Sequence, residues 1–215
     1  MPRKIIIAAG GPPHYWPEID HSEKAVYVGA DRGVYHLLET GIIPHYAFGD
    51  FDSVTEEEKR KIQQADMMMV EYEKEKNATD LELALDWAVS QRPSSIELIG
   101  ATGGRLDHAL VNIQLMLKGL KNGVKTVMKD VQNEMELFLP GTYEITTSEL
   151  GEANYISFLA FSSEVKGITL KGFKYPLEMA DLHIGSSLCI SNELADKSGT
   201  YSFTSGILLM VKSRD

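Results

Sequence analysis

Ser95-Ile96-Glu97-Leu98-Ile99-Gly100-Ala101-Thr102-Gly103-Gly104-Arg105-Leu106-Asp107-His108 reads as a strand that empties through a glycine loop into a helix. The apolar run is short and ends at turn formers, which is the pattern of a buried strand. Leu106, Ala109, Leu110, Ile113 and Leu117 then recur at helical spacing. Glycines let a backbone approach a phosphate closely, a helix N-terminus offers free N–H groups, and Arg105 adds a planar guanidinium fork. The loop resembles a phosphate cradle without matching the P-loop pattern, and a Gly-Gly before a helix also serves as a plain turn.

The same strand-loop-helix unit recurs upstream. Lys4 to Ala9 is a β-branched run feeding Gly10-Gly11-Pro12-Pro13, and Ala25 to Ala30 ends at Asp31-Arg32-Gly33. Helical spacing follows through Val34, Leu37 and Leu38 until Gly41. A further strand reaches Phe48-Gly49-Asp50-Phe51-Asp52-Ser53, a polar helix is expected over Thr55 to Gln64, and a strand over Asp66 to Tyr72. Thr79-Asp80-Leu81-Glu82 fits a capping box ahead of an apolar stripe at Leu81, Ala84, Leu85 and Ala88. Such alternation over residues 1–139 predicts an α/β domain with a doubly wound, mostly parallel sheet, whose ligands bind beyond the carboxyl ends of the strands.

After Pro140-Gly141 helical stripes vanish. Short alternating runs at Asn154 to Ala160, Glu164 to Leu170, Ser187 to Ser191 and Gly199 to Val211 predict an all-β domain over residues 140–215. The whole chain has 215 residues and 43% hydrophobic content, ample for a core. A net charge of −10 provides no basic field for nucleic acid or anionic lipid, so a polyphosphate ligand requires specific cations. The single cysteine, Cys189, precludes an internal disulfide and fits a reducing compartment. The apolar run from Ile5 to Ala9 is too short for a signal-peptide core or a membrane span, and a cytoplasmic protein is expected.

Four acidic points fall after strands or at helix starts: Asp31, the Asp50/Asp52 pair, Asp80 and Asp107. In an extended stretch, residues i and i+2 point to the same side, so Asp50 and Asp52 would grip one hard cation together, with Phe51 facing away. Each also has an ordinary reading: Asp31 as a turn residue, Asp80 and Asp107 as first-turn acids favoured by the helix dipole, and Asp52-Ser53 as a cap for the next helix. Glu56, Glu57 and Glu58 read as a solvated face. His108 suits a general acid or base, a phosphate donor, or a structural hydrogen bond. Lys76 is placed to reach a phosphate, or to remain solvated. An Asp-x-Asp pair after a strand also suits a nucleotide-sugar transferase or a phosphate-ester hydrolase, and a non-catalytic nucleotide sensor is a third class.

Taken in order, Ala30-Asp31-Arg32-Gly33, Gly49-Asp50-Phe51-Asp52-Ser53, Thr79-Asp80, Gly100 to His108 and Ser191-Asn192 resemble the thiamine pyrophosphokinase family, whose enzymes transfer a pyrophosphoryl group from ATP to thiamine. The resemblance implies an α/β catalytic domain, a C-terminal β-sandwich that helps bind thiamine, and a homodimer with active sites at the subunit interface. It further implies Mg2+ held by Asp50, Asp52 and Asp80 with Asp31 close by. Gly100, Thr102, Gly103, Gly104, Arg105 and Asp107 would line the nucleotide site, and the thiamine pyrimidine would be met by Ser191 and Asn192; Asp31, Lys76, Thr79 and His108 are further candidates for contact with ATP. Some relatives carry tryptophans that pack on the substrate where this chain has Tyr175 and, approximately, Leu208.

Overall fold

The computed structural model describes residues 3–19, 21, 24–52, 54–70 and 78–215. The chain separates into two compact units, Met1–Val131 and Gln132–Asp215.

The first unit runs β1 (Ile5–Ala8), β2 (Val26–Ala30), α1 (Gly33–Glu39), β3 (Tyr46–Phe48), α2 (Glu56–Gln64), β4 (Met68–Val70), α3 (Asp80–Ser90), β5 (Ile96–Ile99), α4 (Leu106–Lys121) and β6 (Thr126–Lys129). Its strands are parallel in the order β4-β3-β2-β1-β5-β6. The succession β1 to β4 grows outward from one side of β1, and β5 then pairs on the other side. The topological switch point therefore lies between β1 and β5, where open parallel sheets bind ligands.

Helices cover both faces, as side-chain alternation along β3 shows. Ala47 packs with Val34 of α1, Ile62 of α2 and Phe51, whereas Tyr46 and Phe48 meet the ring of Trp87 on α3, with centroids 4.4 and 5.8 Å away. The stripe expected on α3 is the buried one: Leu81, Ala84, Leu85 and Ala88. The helix expected from Leu106, Ala109, Leu110, Ile113 and Leu117 forms as α4, but its buried face is a different one. Asn112, Leu115, Met116 and Gly119 are the buried positions, while Leu106 and Leu110 stand 72% and 54% exposed. This helix is apolar on two faces, and Ala109, Ile113 and Leu117 are half-buried.

The second unit contains β7 (Asn133–Phe138), β8 (Gly141–Thr146), a one-turn α5 (Thr147–Leu150), β9 (Tyr155–Ala160), β10 (Glu164–Lys171), β11 (Leu177–His183), β12 (Ser198–Phe203) and β13 (Leu208–Ser213). Strand β7, counted with the first domain in the sequence reading, pairs with β13, which also pairs with β9. The second sheet runs β11-β10-β12-β8. Ile156, Phe158, Leu208 and Met210 from the first sheet share one buried cluster with Ile145, Val165, Ile168, Leu170, Leu182, Tyr201 and Phe203 from the second, which makes a β-sandwich. Ser187 to Ser191 is not a strand but a turn region that buries Cys189, whose thiol desolvation pushes up to about 11. Gly199 to Val211 is not one strand either: it splits between β12 and β13, which lie in different sheets.

Candidate active site

Loops after β1, β2, β3 and β5, with the starts of α3 and α4, enclose a cavity of about 620 Å3 in the first unit. Asp31, Asp50, Asp52, Thr79, Asp80, Gly100, Thr102, Gly104, Arg105 and His108 line it. Asp107 and Gly103 do not. Lys76 and Ser53 lie outside the described residues. Ser191 and Asn192 belong to the second unit.

Glycine sets the loop at the switch point. Gly11 N donates to Gly100 O at 2.8 Å, and a Cβ on Gly11 would lie 2.3 Å from that same oxygen. No side chain fits there, so the loops after β1 and β5 touch backbone to backbone. Gly103, at φ +79°, lies against the Tyr15 ring, where a Cβ would come within 2.3 Å of the ring. Its role is to seat the loop on Tyr15. Thr102 Oγ1 donates to Asp130 Oδ2 at 2.8 Å, and buried Asn112 Nδ2 donates to Ala101 O at 2.9 Å, so residues from β6's end and α4 brace the same loop.

The acidic turn is folded, not extended. Gly49 and Phe51 take φ +143° and +56°, and Asp50 Oδ1 accepts from Asp52 N at 3.1 Å. Asp50 and Asp52 reach the same cavity because the chain turns between them while Phe51 buries in the core. Asp31 sits at φ +52°, a sparsely populated conformation for a side-chain-bearing residue, and its N–H donates to Phe48 O at 2.7 Å. Asp80 opens α3 behind Thr79, whose Oγ1 accepts from Glu82 N at 3.2 Å. The expected reciprocal half of that box is missing, because Glu82 pairs with Lys118 at 2.8 Å.

Among the described residues, no three His, Cys, Asp or Glu side chains stand close enough to hold an ion by themselves. The donor set nevertheless fits a hard divalent cation. Four carboxylates line one cavity, and Mg2+ is usually bound by one or two carboxylates together with waters and substrate phosphates rather than by a complete protein cage.

Arg105 lines the cavity as expected but is engaged: its Nε and Nη2 donate to the two oxygens of Asp107, at 3.1 and 2.5 Å. The guanidinium holds the Asp107 carboxyl down to about 2. Asp107 also accepts from His108 N at 3.0 Å and so acts at the first turn of α4.

Four cavity residues were not assigned to the site from the sequence. Gly10, Gly11 and Asn112 line the cavity, and so does Arg32. Glu58 is buried rather than solvated: Oε1 accepts from Arg32 Nη2 at 2.5 Å and Oε2 from Thr55 N at 2.8 Å, while Thr55 Oγ1 accepts from Glu58 N. These bonds hold the Glu58 carboxyl below its ordinary range, the Thr55 N–H contributing most. The signal was present, since Thr55-x-x-Glu58 satisfies the capping-box pattern.

In the second unit Ser191 is exposed at φ +55°, and its N–H donates to Ser157 Oγ at 3.0 Å. Asn192 is buried and largely consumed: Oδ1 accepts from the N–H groups of Tyr175 and Glu193, and Nδ2 donates to Tyr175 O at 2.8 Å. Asn192 thus fixes the backbone of exposed Tyr175.

Comparison with known proteins agrees with this architecture. The family described as thiamin pyrophosphokinase, catalytic domain, matches residues 20–128, and that described as thiamin pyrophosphokinase, vitamin B1 binding domain, matches residues 142–208. A thiamine pyrophosphokinase of Bacillus subtilis (strain 168) is 47% identical over 215 residues, spanning 99% of this chain and 100% of its own length. The crystal structure of thiamine pyrophosphokinase from Bacillus subtilis superposes with a TM-score of 0.92 at 46% identity, covering 99% of this chain and 100% of that one. That of Geobacillus thermodenitrificans thiamin pyrophosphokinase gives 0.89 at 44%, covering 99% and 98%. The chain belongs to the thiamin pyrophosphokinase family.

Proposed function

We propose that this chain transfers a pyrophosphoryl group from ATP to the hydroxyethyl oxygen of thiamine, giving thiamine diphosphate and AMP. The observation that carries the reading is the cavity at the switch point, which carboxylates from three elements share with a glycine loop and a helix N-terminus. In the proposed step the thiamine oxygen bonds to the β-phosphorus and the bond from that phosphorus to the α–β bridging oxygen breaks. The electron pair leaves on AMP, and the hydroxyl proton passes to a base in the cavity.

Phosphoryl chemistry of this kind asks a protein mainly for positioning and charge neutralisation. A bound Mg2+ would neutralise phosphate oxygens and polarise the group being transferred. Asp50, Asp52 and Asp80 are the residues assigned to hold it, with Asp31 beside them. The loop Gly100–Gly104 and the N–H groups opening α4 are assigned to the nucleotide phosphates, with Arg105, released from Asp107, as a further cation. Thr79 and His108 line the same site. Gly103 and Asp107 act by shaping the loop and by holding Arg105, respectively. Ser191 and Asn192 are assigned to thiamine, Asn192 by positioning Tyr175.

A homodimer is part of the same reading, supported by the exposed Leu106, Leu110 and Val111 on α4. A cytoplasmic location is supported by the single, buried Cys189. Among the described residues no helix is long and apolar enough to cross a membrane. Incubation with ATP, Mg2+ and thiamine tests the activity: stoichiometric AMP supports it, whereas ADP or free phosphate supports the hydrolase alternative and no turnover supports a nucleotide sensor.

A further inference from the structure

We propose that Arg32 is a ligand-binding residue of this cavity that takes an oxygen of the pyrophosphoryl part of ATP, with Glu58 as the residue that positions it; the proposal rests on the ATP reading above. Arg32 follows Asp31 at the end of β2 and lines the same cavity as the four aspartates. Its guanidinium is tethered but incompletely paired. A carboxylate that meets an arginine side-on ordinarily accepts from Nε and Nη2 together. Glu58 cannot, because its Oε2 is turned to the N–H of Thr55 in the capping box of α2, leaving Oε1 alone for Nη2. Arg32 Nε is consequently buried with no acceptor among the described residues.

A purely structural ion pair between the starts of α1 and α2 would gain by closing that second bond, since a buried donor left unpaired is costly. The capping geometry instead holds one edge of the guanidinium open. The other guanidinium lining the cavity, Arg105, has the corresponding edge filled by Asp107. Among the described residues, Arg32 is therefore the cavity cation with a buried donor left unpaired. Its side chain keeps 43% of its surface exposed, room for a small swing that brings Nε to a phosphate oxygen while Glu58 keeps Nη2. Because Arg32 stands beside Asp31 and not on the glycine loop after β5, the part of ATP assigned to it is the pyrophosphoryl group.

The test is equilibrium titration of wild type, Arg32→Gln, Arg32→Lys and Glu58→Gln with α,β-methylene-ATP, inorganic pyrophosphate and AMP, each with Mg2+ present. For Arg32→Gln the methylene analogue and pyrophosphate are expected to bind roughly 10- to 100-fold more weakly, and AMP within about threefold of wild type. Arg32→Lys should recover only part of the loss, because an ammonium has no second edge. Glu58→Gln should shift the same two ligands by a smaller factor. Unchanged analogue and pyrophosphate affinities in both Arg32 variants would overturn the proposal, as would an equal loss for AMP. If Arg32→Gln does not fold, Arg32→Lys decides alone. Wild-type protein that binds these phosphates yet forms no thiamine diphosphate would defeat the activity reading and leave the Arg32 comparison standing.

Discussion

Glu58→Ala is the substitution that most sharply separates a buried, structural glutamate from the solvated one its sequence context suggests. It removes two charge-assisted hydrogen bonds, to the Thr55 N–H and to the Arg32 guanidinium. Bonds of this kind are worth about 1.5–3 kcal/mol each when shielded from water. The Arg32 side is discounted to about 0.5–1 kcal/mol because that side chain is 43% exposed. With about 1.5–2 kcal/mol for the capping bond, the expected loss is about 2–3 kcal/mol, or roughly 6–12 °C in Tm for a unit of this size. Both tryptophans, Trp16 and Trp87, lie in the first unit, so tryptophan fluorescence during thermal or urea unfolding reads the affected unit alone. Glu56→Ala and Glu57→Ala serve as controls and should stay within about 0.5 kcal/mol of wild type. A Glu58→Ala protein as stable as those controls would refute the reasoning.

Gly11→Ala places a methyl 2.3 Å from Gly100 O and 2.6 Å from Thr102 O, so the loops must part; about 1–3 kcal/mol of destabilisation and at least a tenfold loss in kcat/KM for ATP are expected, read by unfolding and steady-state kinetics. Lowering the pH from 7.5 to 5.5 should destabilise the first unit through His36. Burial, then Arg32, lowers the folded pKa of this residue below its ordinary 6.5, so the unfolded chain binds the extra proton first and stability falls as pH drops through that value. His36→Gln should flatten that slope in unfolding curves. Asn192→Ala removes the bonds that hold the Tyr175 backbone and should raise the KM for thiamine about fivefold or more while leaving that for ATP within about twofold; a change confined to ATP would misplace the thiamine site.

Much of the first unit was legible because β1, β2, β3 and β5 end at turn formers and α3 begins at a threonine cap. The α3 stripe was read correctly, since Thr79 fixes its start and its opposite face carries Glu82 and Asp86. On α4, Leu106 and Leu110 compete with Leu115 and Met116 for the same period, and only packing chooses between them. The convergence of Asp31, Asp50, Asp52 and Asp80 followed from parallel topology, yet the local reason for the Asp50/Asp52 pairing is a turn at Phe51 and not the pleat of a strand. Glu58 was hidden among three consecutive acids, where charge spoke louder than the capping pattern. In the second unit β8 and β11 are edge strands with weakly alternating, polar sequences, and Ser187 to Ser191 is apolar without being extended. Edge strands bury less and so record less of their pairing in sequence.

The central claim is a pyrophosphoryl transfer assembled on the Asp50/Asp52 turn. The most direct measurement follows phosphorus from ATP labelled separately at the α and β positions, with thiamine and Mg2+, in wild type and in Asp52→Asn. The account predicts that the β label appears on thiamine diphosphate and the α label on AMP, and that Asp52→Asn abolishes both without a loss of folding. Label released as free phosphate or retained in ADP, or near-normal transfer by Asp52→Asn, would contradict it.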